Sequence, residues 1–324
     1  FVYQFIEMPA RKGAIGNWIK QRRELSAMRR RLPIFFSVAI ATLVGVSSVQ
    51  LSGIQARDVS VDTGNTDVVF VAPTTVPTSV TTIANTPATS TTLAKLPRRL
   101  LIVGDSQAHA VAINKPSGIE KTFSITDGSI DGCGVYDRGV GVGGDSGKFR
   151  RNFSNCAGFE KKWSNSAFSA KPDVALVIIG AWEVMDLQIN SFLFKVNTLP
   201  ADTMFKTQLQ RGIDALRKQN VAVALLEVAC MRPVESKGGP VPPLPQRGDD
   251  TRTGHLNALM REVAAPENDG VYFVNGPKEW CNDPKIANSL SYRWDGVHVY
   301  KPGAKLILET IAPALLQIPV TRSK

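Results

Sequence analysis

The segment Leu101-Ile102-Val103-Gly104-Asp105-Ser106 decides the fold. Its apolar half contains two β-branched residues, which is typical of a strand buried on both faces of a sheet. The run ends abruptly at Gly-Asp-Ser, a sequence suited to a tight turn from a strand into a helix. We therefore predict that a buried strand delivers Ser106 to the beginning of a helix.

A second motif, Asp295-Gly296-Val297-His298, lies near the end of the chain. A serine becomes a good nucleophile when a neighbouring base removes its proton, and that base needs a third group to fix its tautomer. The two motifs predict covalent acyl chemistry, with the nucleophile Ser106, the general base His298 and the orienting carboxylate Asp295. In the structural alternative, Ser106 is only a helix N-cap, and Asp295 begins a turn that leaves His298 on the surface.

Strand and helix signals alternate along residues 98–320, and this alternation predicts a parallel α/β domain of three layers. Ligands of such sheets bind beyond the carboxyl ends of the strands, where Ser106 would lie. The predicted strands are Arg99–Val103, Thr122–Ile125, Asp173–Ile179, Val221–Val228 and Val271–Val274. The predicted helices are Gln107–Ile113, Thr203–Gln219, Thr251–Ala264 and Pro302–Leu316.

Gly104-Asp105-Ser106 followed by a distant Asp-x-x-His resembles the SGNH (GDSL-type) hydrolase and acyltransferase family, over roughly Arg98 to Ile318. The resemblance implies a flavodoxin-like parallel sheet flanked by helices and a Ser-His-Asp acyl-enzyme. It also implies an oxyanion hole formed by the amide of Ser106, a glycine amide and an asparagine side chain. The glycine would be Gly134, or alternatively Gly132.

The family asparagine belongs to a Gly-x-Asn-Asp motif, but this chain has Gly180-Ala181-Trp182-Glu183 at that place. Either Trp182 donates its indole N–H to the oxyanion, or it only walls the pocket. By analogy with SGNH domains fused to acyltransferase-3 membrane domains, this departure favours acyl transfer over hydrolysis. Asp105 is predicted to be a buried hydrogen-bonding residue that shapes the turn.

The other histidines are predicted to be structural, since His109 would pack or cap within the first helix and His255 would be a surface group. Three dispersed histidines without His-x-x-x-His or Cys-x-x-Cys spacing argue against a metal site. No cofactor is expected to bind this chain itself.

The positive charge of the chain is concentrated before an apolar segment. Residues 1–32 hold eight Lys or Arg and two Glu, and therefore account for +6 of the net charge of +10. The sequence has no stripe of basic residues with interleaved aromatics, so a nucleic-acid partner is not predicted. The uncharged residues 32–53 are long enough for a transmembrane helix. The positive-inside rule places residues 1–31 in the cytoplasm and the remainder outside a bacterial-type plasma membrane. In a rival interpretation, translation starts at Met28 and residues 29–56 form a signal peptide.

Tyr3-Gln4-Phe5-Ile6-Glu7-Met8-Pro9 resembles the closing helix of the acyltransferase-3 membrane family. This resemblance implies that the chain is the end of a longer protein whose membrane domain takes acetyl groups from acetyl-CoA. Residues 54–97, rich in Thr and Pro, are predicted to be a disordered linker that precedes the SGNH-type domain at 98–320.

All four cysteines lie in the predicted exterior domain, where an oxidising environment favours disulfides. The preferred pairing is Cys133–Cys156 with Cys230–Cys281, because the first pair would link loops near the oxyanion segment and the second would tie a strand end to Trp280. Free buried thiols are the alternative.

Three functions are compatible with these features. The first is a membrane-tethered O-acyltransferase that moves acetyl groups onto a surface or cell-wall saccharide. The second is a secreted or anchored SGNH carbohydrate esterase or lipase-like hydrolase. The third is an inactive glycan-binding module that keeps the fold without the chemistry.

Overall fold

The computed structural model describes residues 96–235 and 241–320. The predicted cytoplasmic segment 1–31, the predicted transmembrane helix 32–53 and all but the end of the predicted linker 54–97 lie outside these residues. Within the part of the chain that the structure describes, no helix is both long and apolar enough to cross a membrane.

The described residues form nine strands and seven α-helices, numbered here in chain order. The strands are β1 Arg98–Gly104, β2 Phe123–Asp127, β3 Val140–Gly143, β4 Phe149–Asn152, β5 Val174–Ile178, β6 Asp186–Ile189, β7 Phe192–Phe194, β8 Ala222–Leu226 and β9 Val271–Val274. The helices are α1 Ser106–Ile113, α2 Phe159–Ala170, α3 Leu199–Arg217, α4 Asp250–Val263, α5 Glu279–Asn282, α6 Pro284–Ala287 and α7 Lys301–Gln317.

A five-stranded parallel sheet with the order β2-β1-β5-β8-β9 forms the centre of the domain. Alternate side chains of β1 enter opposite cores, since Leu101 and Val103 join the core against α2, α3 and α4, whereas Leu100 and Ile102 join the core against α1 and α7. The sheet is thus covered by helices on both faces. The predicted α/β fold with a parallel sheet flanked by helices is confirmed.

All five predicted strands and all four predicted helices are present, with boundaries displaced by a few residues. The largest displacement is at α3, which begins at Leu199, four residues before the predicted Thr203. Pro200 lies in the first turn of this helix, where its fixed φ and missing N–H are tolerated. The predicted start of α3 at Thr203 was therefore too late, because it took the helix to begin after Pro200.

The short helices α5 and α6 were not predicted, and neither were two larger features. Helix α2 buries Phe159, Trp163 and Ala167, which are spaced four residues apart along one face. An antiparallel sheet with the order β4-β3-β6-β7 lies beside the main fold. Its β6 follows directly after residues 180–185, and Phe149 of β4 stacks on Trp182 with ring centroids 6.4 Å apart. The small sheet therefore covers the segment Gly180-Ala181-Trp182-Glu183.

Both predicted disulfides are present, Cys133–Cys156 and Cys230–Cys281, and the described cysteines include no free thiol. The first disulfide fixes the loop that contains Gly134. The second links the segment after β8 to helix α5.

Candidate active site

The turn that carries Ser106 depends on the glycine before it. Gly104 has a φ of +136°, and a Cβ at this position would lie 1.7 Å from the carbonyl oxygen of Ile178. Only glycine permits β1 to run this close to β5 as the chain turns. Asp105, fully buried, then caps α1, because its Oδ1 accepts a hydrogen bond from the amide of Gln107 at 2.8 Å. Ser106 is the first residue of the helix, as the sequence predicted.

The structure brings Ser106, His298 and Asp295 into one hydrogen-bonded relay. The Oγ of Ser106 lies 2.7 Å from Nε2 of His298, and Nδ1 of His298 lies 2.6 Å from Oδ2 of Asp295. An ionised carboxylate only accepts hydrogen bonds, so Nδ1 carries the proton and Nε2 accepts from the serine hydroxyl. This is the tautomer that a general base for Ser106 requires.

The loop around Asp295 holds the carboxylate in its ionised form. Burial raises the pKa of Asp295, but hydrogen bonds and charge from His298, with the amide of Val297, outweigh burial and leave the pKa below its ordinary value. The amides of Val297 and His298 donate to Oδ1 at 2.9 and 2.8 Å. Trp294 stacks on the imidazole of His298 with ring centroids 5.3 Å apart. The base is thus oriented from two sides.

Three backbone amides are available as oxyanion donors. Among the described residues, no group accepts a hydrogen bond from the amides of Ser106, Gly134 or Gly132. The amide of Ser106 also lies at the N-terminus of α1, where the helix dipole favours negative charge. The carbonyl oxygen of Gly132 accepts a hydrogen bond from Arg151 at 3.3 Å.

Glu183 positions the loop that contains Gly134. Its Oε1 accepts from the amide of Val135 at 2.8 Å, and its Oε2 accepts from the amide of Gly180 at 2.9 Å. A Cβ on Gly134 would lie 1.8 Å from Oε1 of Glu183, so only glycine fits against this carboxylate. Sequence reasoning did not find this role. The only available signal was an acidic residue at the place of the Asp in Gly-x-Asn-Asp.

The environment of Glu183 favours its neutral form. Burial and the charge of Asp105 raise the pKa of Glu183 to about 7, against an ordinary value of 4.5, although three backbone hydrogen bonds act in the opposite direction. Burial also raises the pKa of Asp105. Two buried carboxyl groups therefore lie near Ser106 without forming part of the relay.

The raised pKa of Glu183 predicts a pH-dependent loss of stability. Below about pH 4.5 the carboxyl is protonated in both the folded and the unfolded chain, and its contribution is fully present. Between pH 4.5 and 7 the unfolded chain releases the proton first, which lowers the unfolding free energy by up to about 3 kcal/mol. Glutamine resembles the neutral carboxyl and does not titrate. The unfolding free energies of the wild type and of Glu183→Gln, measured in urea, should therefore be closest at low pH and should diverge as the pH rises through this window, with the wild type losing stability relative to the variant. Parallel pH curves for the two proteins would contradict the assignment.

Trp182 is buried and packs between aromatic and cationic side chains. It lies edge-on to Phe153 at 5.9 Å, and the guanidinium carbon of Arg247 lies 4.4 Å from the centroid of its ring. The Nε1 of Trp182 is sealed from solvent and has no acceptor among the described residues. This placement favours the wall-forming role over donation to a substrate oxygen.

The other two histidines each pair with a carboxylate other than Asp295. His109 lies 2.7 Å from Asp127 through Nδ1, and His255 lies 2.7 Å from Asp202 through Nε2. His255, predicted to be a surface group, is partly exposed and pairs across to Asp202 of α3. Within residues 96–235 and 241–320, no group of three metal-ligating side chains comes together.

No protein-family model and no curated protein matches the chain. Among solved structures, a Bacteroides fragilis protein assigned as an acylhydrolase is 12% identical with a TM-score of 0.45, over 69% of this chain and 90% of that chain. An acetyl xylan esterase is 17% identical with a TM-score of 0.43, over 67% and 99% of the two chains. A GDSL-like lipase from Bacteroides thetaiotaomicron is 12% identical with a TM-score of 0.43, over 68% and 88%.

Proposed function

We propose that this chain catalyses acyl transfer through a covalent acyl-enzyme on Ser106. The observation that supports the proposal most strongly is the relay in which Ser106 Oγ and Asp295 Oδ2 contact opposite nitrogens of His298, at 2.7 and 2.6 Å. An inactive binding module would have no need for this relay. The amides of Ser106, Gly134 and Gly132 have no acceptor among the described residues, and as donors they suit the oxygen that becomes negative during acyl transfer.

The reaction begins when Ser106 Oγ attacks the carbonyl carbon of the acyl donor. The hydroxyl proton moves to Nε2 of His298, and the π electron pair of the carbonyl moves to its oxygen. The amides of Ser106 and Gly134 donate to that oxygen. When the tetrahedral intermediate collapses, His298 returns the proton to the leaving group, and the acyl group stays on Ser106. An acceptor hydroxyl then attacks the ester by the same steps in reverse.

We further propose that the acceptor is a saccharide hydroxyl, and that the domain is tethered to the outer face of a bacterial-type plasma membrane. The basic cluster before residues 32–53 and the Thr/Pro-rich linker support tethering, and two disulfides suit an oxidising exterior. In this proposal an upstream membrane domain supplies acetyl groups from acetyl-CoA. The absence of the family asparagine supports transfer over hydrolysis by analogy.

A carbohydrate esterase, secreted or anchored, is the second candidate. It would use the same acyl-enzyme, with water in place of the sugar hydroxyl. One of the solved structures that resemble the chain is an acetyl xylan esterase, which is an enzyme of this second kind. The two candidates therefore differ only in what removes the acyl group from Ser106.

Partitioning of the acetyl group separates the candidates. The chain is supplied with p-nitrophenyl acetate and increasing concentrations of a soluble oligosaccharide, and free acetate and acetylated sugar are quantified. A transferase is expected to form acetylated sugar at the expense of acetate, and the Ser106→Ala variant should form neither above the uncatalysed background. Release of all the acetyl as acetate at every acceptor concentration would favour the esterase.

A further inference from the structure

A buried arginine, Arg247, packs against the segment that follows β5 and makes no hydrogen bond to Ser106, His298 or Asp295. Arg247 is 4% exposed and ends a short 3₁₀ turn, Pro245–Arg247. The preceding Gln246 fixes this turn, since its side chain bonds both the amide and the carbonyl of Gly144, at 2.9 and 3.4 Å. Burying a guanidinium is costly unless its donors find partners. Arg247 therefore needs an explanation.

The guanidinium is held against the segment in which the family asparagine is missing. Its Nε donates to the carbonyl oxygen of Ala181 at 2.8 Å, and its carbon lies 4.4 Å from the centroid of the Trp182 ring. These contacts occupy one edge and one face of the group. In the described part of the chain, neither Nη nitrogen has a hydrogen-bond acceptor, yet neither is sealed from solvent. The two Nη nitrogens are therefore free to donate to a bound molecule.

The charge of Arg247 acts on the groups around Ser106. Burial lowers the pKa of Arg247, and the charges of Asp105, Asp295 and Glu183 oppose this effect. Asp105 directly precedes the nucleophile, and Asp295 orients its base. An arginine remains cationic at any working pH. The permanent positive charge of Arg247, with its two uncommitted N–H groups, thus interacts electrostatically with the carboxyl groups of the site.

We propose that Arg247 supplies the oxyanion donor that the missing asparagine supplies in the resembled family. The inference rests on the proposed acyl-enzyme. As Ser106 Oγ bonds to the carbonyl carbon and its proton moves to His298, an Nη–H of Arg247 donates to the oxygen that receives the π electron pair. The amides of Ser106 and Gly134 complete the set. Trp182 contributes the aromatic face that holds the guanidinium in place.

The test compares Arg247→Gln and Arg247→Lys with the wild type. Loss of one oxyanion donor is expected to lower the rate constant for acetylation of Ser106 by about 10²–10³-fold while KM for the ester changes little. Lysine keeps the charge but loses the planar fork, so it should recover part of the rate. A boronic acid, which forms a tetrahedral adduct on serine, should lose affinity in parallel with the rate. Acetylation is followed by the burst of nitrophenol from p-nitrophenyl acetate.

The control is Arg261→Gln. Like Arg247, Arg261 lies over an aromatic ring, 4.0 Å from the centroid of Phe273. Its hydrogen bonds go to Glu227 and Asn275, outside the candidate active site. Its acetylation rate should equal that of the wild type. Near-ultraviolet circular dichroism shows whether Arg247→Gln folds. If it does not, the test uses Arg247→Lys and the restoration of acetylation in Arg247→Ala by added ethylguanidinium. Any folded variant of Arg247 that acetylates Ser106 at the wild-type rate overturns the proposal.

Three further outcomes separate the role of Arg247 from the proposed function. A wild-type burst that depends on Ser106, together with normal acetylation in Arg247→Gln, would overturn the role of Arg247 and leave the proposed function intact. Normal acetylation combined with loss of transfer to acidic sugars alone would make Arg247 an acceptor-binding residue, which also contradicts the proposal. Absence of any Ser106-dependent burst in the wild type would instead contradict the proposed function.

Discussion

Replacing Ser106 with alanine is expected to lower kcat for an acetyl ester by about 10⁴–10⁶-fold, because no other group can form the acyl-enzyme. The substitution removes a single hydroxyl, whose hydrogen-bond partner is His298 at 2.7 Å. Folding should therefore be unaffected, and the thermal unfolding midpoint should stay close to that of the wild type. Steady-state hydrolysis of p-nitrophenyl acetate measures the rate.

Ser129→Ala is the matched control for this variant. Ser129, like Ser106, belongs to a group of hydrogen-bonded serine, histidine and aspartate side chains. Its Oγ donates to Asp127 at 2.6 Å, and Asp127 pairs with His109. It lies outside the relay, so the rate should remain that of the wild type. Equal rates for Ser106→Ala and the wild type would contradict the assignment of the nucleophile.

Replacing His298 with alanine is expected to be nearly as damaging as replacing Ser106, because the serine proton would then have no acceptor. The chain itself provides two matched controls. All three histidines pair with an aspartate, at 2.6 Å for His298 and at 2.7 Å for His109 and His255. Only His298 also contacts Ser106. The alanine variants at the other two positions should retain most activity.

These three variants are compared at one pH by kcat/KM and by thermal unfolding. A folded but inactive His109→Ala, next to an active His298→Ala, would assign the base to the pair at the end of β2. An inactive His255→Ala next to an active His298→Ala would assign the base to His255. Its imidazole would then have to leave Asp202 of α3, which requires a rearrangement of α4.

The central sheet could be predicted because its strands carry a local signal. Continuous apolar runs such as those of β5 and β8 occur where both faces of a strand are covered. Helix α2 carried a comparable signal in Phe159, Trp163 and Ala167, and it could have been found by its period of 3.6. The small antiparallel sheet could not, since its strands have three or four residues and β3 is half glycine.

The same distinction applies to the site. Ser106, Asp295 and His298 were predicted because each belongs to a short motif whose residue types match a known chemistry. Arg247 belongs to no motif, and its contact with Ala181 joins residues 66 positions apart in the chain. Glu183 acts through amides on two different loops, at Val135 and Gly180. Contacts of this kind follow from the folded arrangement, which no local pattern encodes.

The preferred disulfide pairing was correct for a related reason. The sequence placed Cys133 and Cys156 in loops near the oxyanion segment, and Cys230 at the end of a predicted strand that the second disulfide would tie to the segment with Trp280 and Cys281; the structure has both pairs. The sequence resemblance puts Trp182 at the place of the family asparagine. The structure adds that its indole N–H is closed off and that its ring faces Arg247 instead.

Site-specific labelling of Ser106 tests the central claim most directly. The folded chain is treated with a fluorophosphonate, digested, and analysed by mass spectrometry to locate the modified residue. Because His298 activates only Ser106, we expect one modified serine, Ser106, with labelling abolished by prior unfolding and strongly slowed in His298→Ala. Modification of a different serine, or no modification of a chain that is shown to be folded, would contradict the account.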